Sequence, residues 1–365
     1  MNKLYGGMDL HSNNVCIVII NMLGQRVFKK RFPNDLELIL DALEKFREEI
    51  FAVVVESTYN WYWLVDGLKD AGYDVRLANV SKIKGDTGQK HTNDFTDAYH
   101  LADLLRIDRL PEGYIYPKKD RPIRDLMRKR SMLVRSRTKF FLNMNSFSSR
   151  QLGYSMRVGD IRKLETTDLE DLFKEKHLVL SGQCNTVFIN HFDHWINVLE
   201  KEILSSIKLK PEFQKLLTII GVGDVLGLTI ALETGYIKRF PDAGNYASYC
   251  RAVESKKISN NKKKGENNRK NGNVYLGWAF IEAANYCKRF CPEAMQFYNH
   301  KLRQTNKKVI ALKSLACKLA KASYFIMRDQ VDFDLDKIFP KTKSQKIRCG
   351  SKPAGEVGKT THMNG

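Results

Sequence analysis

The order of strand and helix patterns in the first hundred residues constrains this chain more than any other feature. Leu4–Leu10, Asn14–Met22 and Gln25–Phe32 read as three consecutive strands, joined by tight polar turns at Asn13-Asn14 and Leu23-Gly24. Asn34 and Asp35 then cap a helix from about Leu36 to Ile50, with Leu36, Ile39, Leu40, Leu43 and Phe46 on one face. The apolar run 52–56, ending in Glu56, suits a strand in the middle of a sheet. A helix over Trp61–Ala71 stops at Gly72, a fifth strand covers Tyr73–Val80, and Thr92 or Asn93 caps a helix through Ile107. The resulting order, β-β-β-α-β-α-β-α, predicts a mixed α/β domain over residues 1–117.

From Pro117 the pattern changes. Residues 122–150 predict a basic amphipathic helix, and 186–207 a second one with Phe188, Phe192, Trp195, Ile196, Leu199 and Ile203 at helical spacing. Such a stripe belongs to a core or a helix-pair seam, so 118–210 reads as a helical, coiled-coil linker or dimerisation arm. A mostly helical domain is expected over 211–330, followed by a flexible basic tail over 331–365.

Charge narrows the range of partners. The net charge is +20, yet residues 1–117 carry 14 basic and 17 acidic side chains. The excess sits in runs: 118–150 has 11 basic against 2 acidic residues, and 251–273 has 8 against 2. Runs of this kind suit a polyanion that releases its counterions on binding, although a solvated helix face has the same look. No segment approaches the ~20 apolar residues of a membrane span, and the N-terminus lacks a signal-peptide core, so a cytoplasmic protein is expected. Seven cysteines form no CxxC pair, which argues against a zinc or disulfide framework.

Four carboxylates fall where chemistry could use them. Asp9 closes the first strand and Glu56 the fourth. Asp94 and Asp97, three apart, share one face in the first turn of the last helix. If the first and fourth strands are neighbours, all four converge and repel one another unless cations hold them. Mg²⁺, or Mn²⁺ in its place, is the hard-ion occupant such oxygens favour. Taken singly, each acid has an ordinary explanation, Asp94 and Asp97 as helix-dipole partners and Asp9 with His11 and Ser12 as a turn. Asp103 and Asp108, further along the same helix, are the candidates to exclude.

In the second domain, the stretch around Gly221-Val222-Gly223 predicts two helices joined by a tight turn, a helix-hairpin-helix element whose backbone N–H groups could take phosphate. A Lys/Asn/Gly-rich loop over 249–273 follows. It offers Lys256, Lys257, Lys262, Lys263, Lys264, Arg269 and Lys270 to a phosphate backbone, as do Arg124, Arg128 and Arg135 on the basic helix. The loop also exposes a hydroxyl among lysines, and composition alone does not separate Ser259 from Ser255.

The strand order with its acids resembles the ribonuclease-H-like fold, most closely its Holliday-junction-resolvase (RuvC-like) branch. The joint set of GMDLHSN, VVVEST, NDFTDA, IIGVG, KRFPDA, the ISNNKKKG–NRKNGN loop and YLGWAFIEAANY resembles the insertion-sequence one-ten family of transposases over roughly residues 5–330. These DEDD-type recombinases are related to the Piv-type DNA invertases. The resemblance implies an acidic tetrad at Asp9, Glu56, Asp94 and Asp97, a nucleophile at Ser259 and a phosphoserine–DNA intermediate. It further implies donor and target DNA as substrates, dimers pairing into tetramers, and a structured bridge RNA as guide. This chain departs from the family pattern at Asn260, where many members have glycine, and at Arg251-Ala252, where many have Gly-Leu. Ser255 is therefore the reserve nucleophile. Two rival readings remain: a resolvase-like endonuclease using the tetrad and water, and a nucleic-acid-binding protein without catalysis.

Overall fold

The computed structural model describes residues 3–83, 93–207, 210–253, 257–265 and 271–340. Two compact units emerge, residues 1–122 with 255–271, and residues 123–254 with 272–365. The expected boundary at 117 thus falls five residues later, and the basic loop groups with the N-terminal unit rather than with the domain around it.

The first unit is built on β1 (Leu4–Leu10), β2 (Asn14–Ile20), β3 (Arg26–Pro33), β4 (Ile50–Glu56) and β5 (Val75–Ala78), in the order β3-β2-β1-β4-β5. β2 runs antiparallel to both β1 and β3, while β1, β4 and β5 are parallel. β1 is buried along its whole length, as a central strand covered on both faces must be. One face carries Leu4, Met8, Ile17, Ile19, Val53 and Val55 against α1 (Leu36–Glu44) and α2 (Tyr62–Asp70). The other carries Tyr5, Val18 and Ile20 against Ala98 and Ala102 of α3 (Asp94–Arg106). Asp35 caps α1 by accepting from the backbone N–H groups of Glu37 and Leu38. That helix ends earlier than its periodicity suggests, because Ile50 is taken by β4, where it pairs with Leu4.

The second unit begins with a helical hairpin. α4 (Arg121–Leu152) runs antiparallel to α7 (Lys176–Ile207): Met127 packs with Ile203 and Ile207, whereas Phe141 and Met144 pack with Val179 and Ile189. Apart from Asn185, the buried positions on α7 (Val179, Gly182, Thr186, Ile189, Ile196, Ile203, Ile207) follow a repeat of three and four residues, the seam of a coiled coil. The two missing members of that series are Asp193 and Glu200, which pair with Arg137 and Arg130 at seam positions of α4. α5 (Val158–Ile161) and α6 (Thr166–Phe173) fill the connection. α7 starts ten residues before the expected helix, since Val179 and Gly182 already belong to the seam.

The remaining helices are α8 (Pro211–Leu217), α9 (Asp224–Thr234), α10 (Ala243–Tyr249), α11 (Val274–Phe290), α12 (Pro292–Thr305), α13 (Lys308–Asp329) and α14 (Leu335–Ile338). They enclose an apolar core that includes Tyr246, Phe280, Leu315 and Leu319. The tail expected from 331 onward is corrected over its first part. Phe339 is buried in that core, Asp332 pairs with Lys215 at 2.8 Å, and the Phe333 N–H donates to Thr218 Oγ1. An apolar phenylalanine next to a helical turn gives those residues a reason to fold. Residues 341–365 lie outside the described residues.

Candidate active site

Strand register brings the site together. Asp9 pairs with Cys16 on β2, and Cys16 pairs with Arg31 on β3, so the three stand in one row on one face of the sheet. Met8 pairs with Val55 in the parallel β1–β4 ladder, which sets Asp9 and Glu56 side by side one residue further on. Gly7, two residues before Asp9 and on its face, lets α3 rest on the strand; a Cβ there would lie 1.9 Å from the Ala98 carbonyl oxygen. Asn93 caps α3 by accepting from the Thr96 N–H at 3.0 Å, and Asp94 and Asp97 fill its first turn.

Asp9 is 3 % exposed. Its Oδ2 lies 3.2 Å from His11 Nε2, and the same nitrogen lies 3.4 Å from Asp94 Oδ2. Arg31 Nη2 donates to Asp94 Oδ2 at 2.5 Å. Burial, then a hydrogen bond to Asp9 and repulsion from Asp9 and Asp97, push the Glu56 carboxyl up to about 8. Asp97 is also raised, first by burial and then by the charges of Asp9 and Asp94. Crowded, partly buried carboxyls raised in this way would be relieved by a further positive charge. The ligand atoms of Asp9, His11 and Asp94 lie within 4.8 Å of one another, a donor set that can hold a metal ion. All four predicted acids therefore meet at the carboxyl ends of the two interior strands β1 and β4. Asp103 is excluded, being tied to Arg106 at 2.6 Å.

Two residues at this site escaped the sequence reading. In the sequence, His11 stands only as a D-x-H spacing that a turn explains equally well. Arg31 is linked to the site only through two strand registers, which no local pattern reveals.

The serine loop has a pinned neck within the second unit. The Asn273 N–H donates to the Tyr249 carbonyl at 2.6 Å, and Arg251 Nε donates to the Gly272 carbonyl at 3.1 Å. Gly272 has φ +92, and a Cβ there would stand 2.5 Å from the Tyr249 oxygen. Between the described ends is a hairpin of β6 (Lys257–Ser259) and β7 (Lys262–Gly265), with Ser259 paired to Lys262 across the turn. Asn260 and Asn261 have φ of 49° and 57°, the two left-handed residues that a type I′ turn requires. Asparagine adopts this conformation more readily than other residues with a side chain, so Asn260 and Asn261 suit the turn. Lys262 and Lys264 are exposed. Ser255, Lys256, Arg269 and Lys270 lie outside the described residues, as do the side chains of Lys257, Ser259 and Lys263.

Part of the expected nucleic-acid face turns inward. Glu233 is 2 % exposed, and Arg128 donates to both its oxygens at 2.6 and 2.9 Å. Arg124 reaches the same carboxylate at 3.2 Å and Asn273 Nδ2 at 2.6 Å. Burial raises the Glu233 carboxyl, but the hydrogen bonds and charges of Arg128 and Arg124 outweigh it and hold it below its ordinary value. Arg124 and Arg128 are thus committed to a buried carboxylate, whereas Arg135 is exposed beside the Tyr275 ring. Gly221, expected to meet phosphate, has φ +91 and a packing role, since a Cβ would come within 2.5 Å of the Cys287 nitrogen on α11. Gly223 is the N-cap of α9 and lines an open groove of about 630 Å³ together with Trp278, Tyr286 and Phe290.

Residues 6–147 match the sequence model of the DEDD-type IS110 transposases. Residues 213–299 match the transposase IS116/IS110/IS902 family. The chain belongs to the IS110 family of transposases. The two matches span the acidic site and the core of the second unit, and together cover more than half of the chain. No curated protein gives a significant match. DNA is the partner that a transposase implies, and cleavage and rejoining of DNA strands is its activity. No helix among the described residues is long and apolar enough to cross a membrane.

Proposed function

We propose that this transposase cuts and rejoins DNA with Ser259 as nucleophile, on a ribonuclease-H-like domain whose Asp9, Glu56, Asp94 and Asp97 hold Mg²⁺ or Mn²⁺. The observation that carries this reading is the convergence of the four acids at the carboxyl ends of β1 and β4. Glu56 and Asp97 are there pushed toward protonation by burial first and then by the neighbouring acids. The order β3-β2-β1-β4-β5 with β2 antiparallel supports the ribonuclease-H-like assignment.

A bound divalent cation would neutralise the non-bridging phosphate oxygens and stabilise charge on the leaving oxygen. The chain's own residues do the rest. Ser259 Oγ forms a bond to phosphorus as one DNA oxygen departs, the proton lost by the serine ending on that departing oxygen, which leaves the serine joined to DNA as a phosphoserine diester. A DNA hydroxyl then reverses the exchange and frees the serine. The I′ hairpin presents Ser259 beside a tight turn, where a short, pre-shaped backbone limits its wandering. Lys262 and Lys264, with Lys256, Lys257, Lys263, Arg269 and Lys270 of the loop, supply cationic contacts to the DNA backbone, and Arg135 on α4 supplies another. The N-terminus of α9 at Gly223 supplies backbone donors.

A bridge RNA as guide and assembly into dimers and tetramers complete the proposal. For assembly, Leu180, Val187, Trp195 and Val198 form an exposed apolar line on α7, which a second copy would cover. The deciding experiment uses labelled DNA carrying the element junction, its flanking RNA and Mg²⁺. A denaturant-stable protein–DNA adduct that vanishes in Ser259→Ala supports the phosphoserine route. Cleavage that needs Asp97 but not Ser259, with no adduct, identifies a water-using nuclease instead.

A further inference from the structure

The imidazole of His11 is the least explained group at the acidic site. Its Nε2 is shielded from solvent and has no hydrogen-bond partner among the described residues, although two carboxylate oxygens face it at 3.2 and 3.4 Å. Nε2 and the two carboxylate oxygens thus face one common point, where a single cation would satisfy all three. The spacings suit one. Ligands about 2.1 Å from a six-coordinate ion stand about 3.0 Å apart along each polyhedron edge, close to both distances. The ring is also held for the task by its backbone. The His11 N–H donates to the Asn14 carbonyl at 2.8 Å, and the His11 carbonyl accepts from Asn34 Nδ2 at 3.2 Å and Asn60 Nδ2 at 2.9 Å. Arg31 meanwhile takes Asp94 Oδ2 from the β3 side, which fixes that carboxylate relative to the ring.

We propose that His11 is a direct metal ligand of this site, binding a divalent cation through Nε2 beside Asp9 and Asp94 and completing a mixed nitrogen–oxygen shell. The inference rests on the reading above that the acids hold a divalent cation. A nitrogen donor has a chemical consequence. Imidazole suits the later first-row ions such as Co²⁺, Ni²⁺ and Zn²⁺, whereas an all-oxygen shell suits Mg²⁺, so His11 lets the site take a transition-metal ion, Mn²⁺ included, more readily than Mg²⁺.

The test is metal binding by the full chain, independent of DNA cleavage. Mn²⁺ is titrated and followed by electron paramagnetic resonance, with spin-echo detection of nitrogen coupled to the bound ion. Wild type should show one strongly coupled imidazole nitrogen. His11→Ala should lose that coupling and bind Mn²⁺ at least tenfold more weakly, while Mg²⁺, measured by competition, weakens less. His11→Asp should recover Mn²⁺ affinity without the nitrogen signal, which separates loss of a ligand from misfolding. His191→Ala should leave the coupling intact. Mn²⁺ bound in an Asp9-dependent way with no nitrogen coupling overturns the role of His11 and leaves the cation reading standing. Equal failure of wild type and Asp9→Asn to bind Mn²⁺ overturns the cation reading itself.

Discussion

Gly7→Ala tests whether the acidic site depends on the seat of α3 against β1. The added Cβ would lie 1.9 Å from the Ala98 carbonyl oxygen and 2.8 Å from the Ala102 nitrogen, both backbone atoms of a helix. Ordinary contact begins near 3.4 Å, so the first turns of α3 must withdraw by roughly 1.5 Å or tilt. Overpacking of this kind costs about 1–3 kcal/mol of stability. The functional effect should be larger, because Asp94 and Asp97 ride on the displaced helix while Asp9 stays on the strand. A misplacement of about 1 Å can reduce a rate on the order of 100-fold. Single-turnover cleavage of junction DNA, measured below the unfolding transition, should fall by about that factor. Gly6→Ala serves as the control: its Cβ meets only the Val53 side chain, at 2.8 Å, on the opposite face. It should lower stability with a much smaller loss of rate. Cleavage by Gly7→Ala within threefold of wild type, or an equal loss in Gly6→Ala, would refute the argument.

Two other perturbations follow from buried charge. Glu233→Ala removes the carboxylate that holds Arg124, Arg128 and Asn273, stranding guanidinium groups in the second unit. Breaking such a pair from one side costs about 3–5 kcal/mol. At roughly 2–4 °C per kcal/mol, calorimetry should show the melting temperature of that unit fall by at least ~6 °C, and an unchanged value would contradict the assignment. The second concerns pH. The Glu56 carboxyl stands at about 8 in the fold against an ordinary 4.5, so its stabilising form is the protonated one. That contribution is complete below the unfolded value and is lost as pH rises through about 8. Thermal melts with chelator should therefore fall between pH 6 and 9, and Mg²⁺ should restore more stability at pH 8.5 than at pH 6. A Mg²⁺ effect that shrinks with rising pH would show that Glu56 does not carry the proton the cation displaces.

Much of this site was legible because its acids sit at strand ends and at a helical spacing of three, features written in adjacent residues. Asp9, Glu56, Asp94 and Asp97 needed only the strand order to converge. Arg31 needed two registers as well, Asp9 to Cys16 and Cys16 to Arg31, and a one-residue slip in either would turn it to the other face. The basic helix failed differently. Its arginines are alike as sequence, yet Arg124 and Arg128 answer to Glu233 more than a hundred residues away, and Arg130 and Arg137 to Glu200 and Asp193 across a coiled-coil seam. A charge run tells how much positive charge a helix carries, and only the partner helix tells where it points. The serine loop shows the converse. Its Lys-, Asn- and Gly-rich composition reads as irregular, because such residues have little strand preference. Asn260 and Asn261 nevertheless supply the two left-handed residues of a I′ turn, and that local chemistry pairs Ser259 with Lys262. For the nucleophile proposed at Ser259 this matters more than strand preference would. A hairpin closed by its own turn arrives at the DNA already shaped, so less ordering remains to be done when the phosphate is engaged.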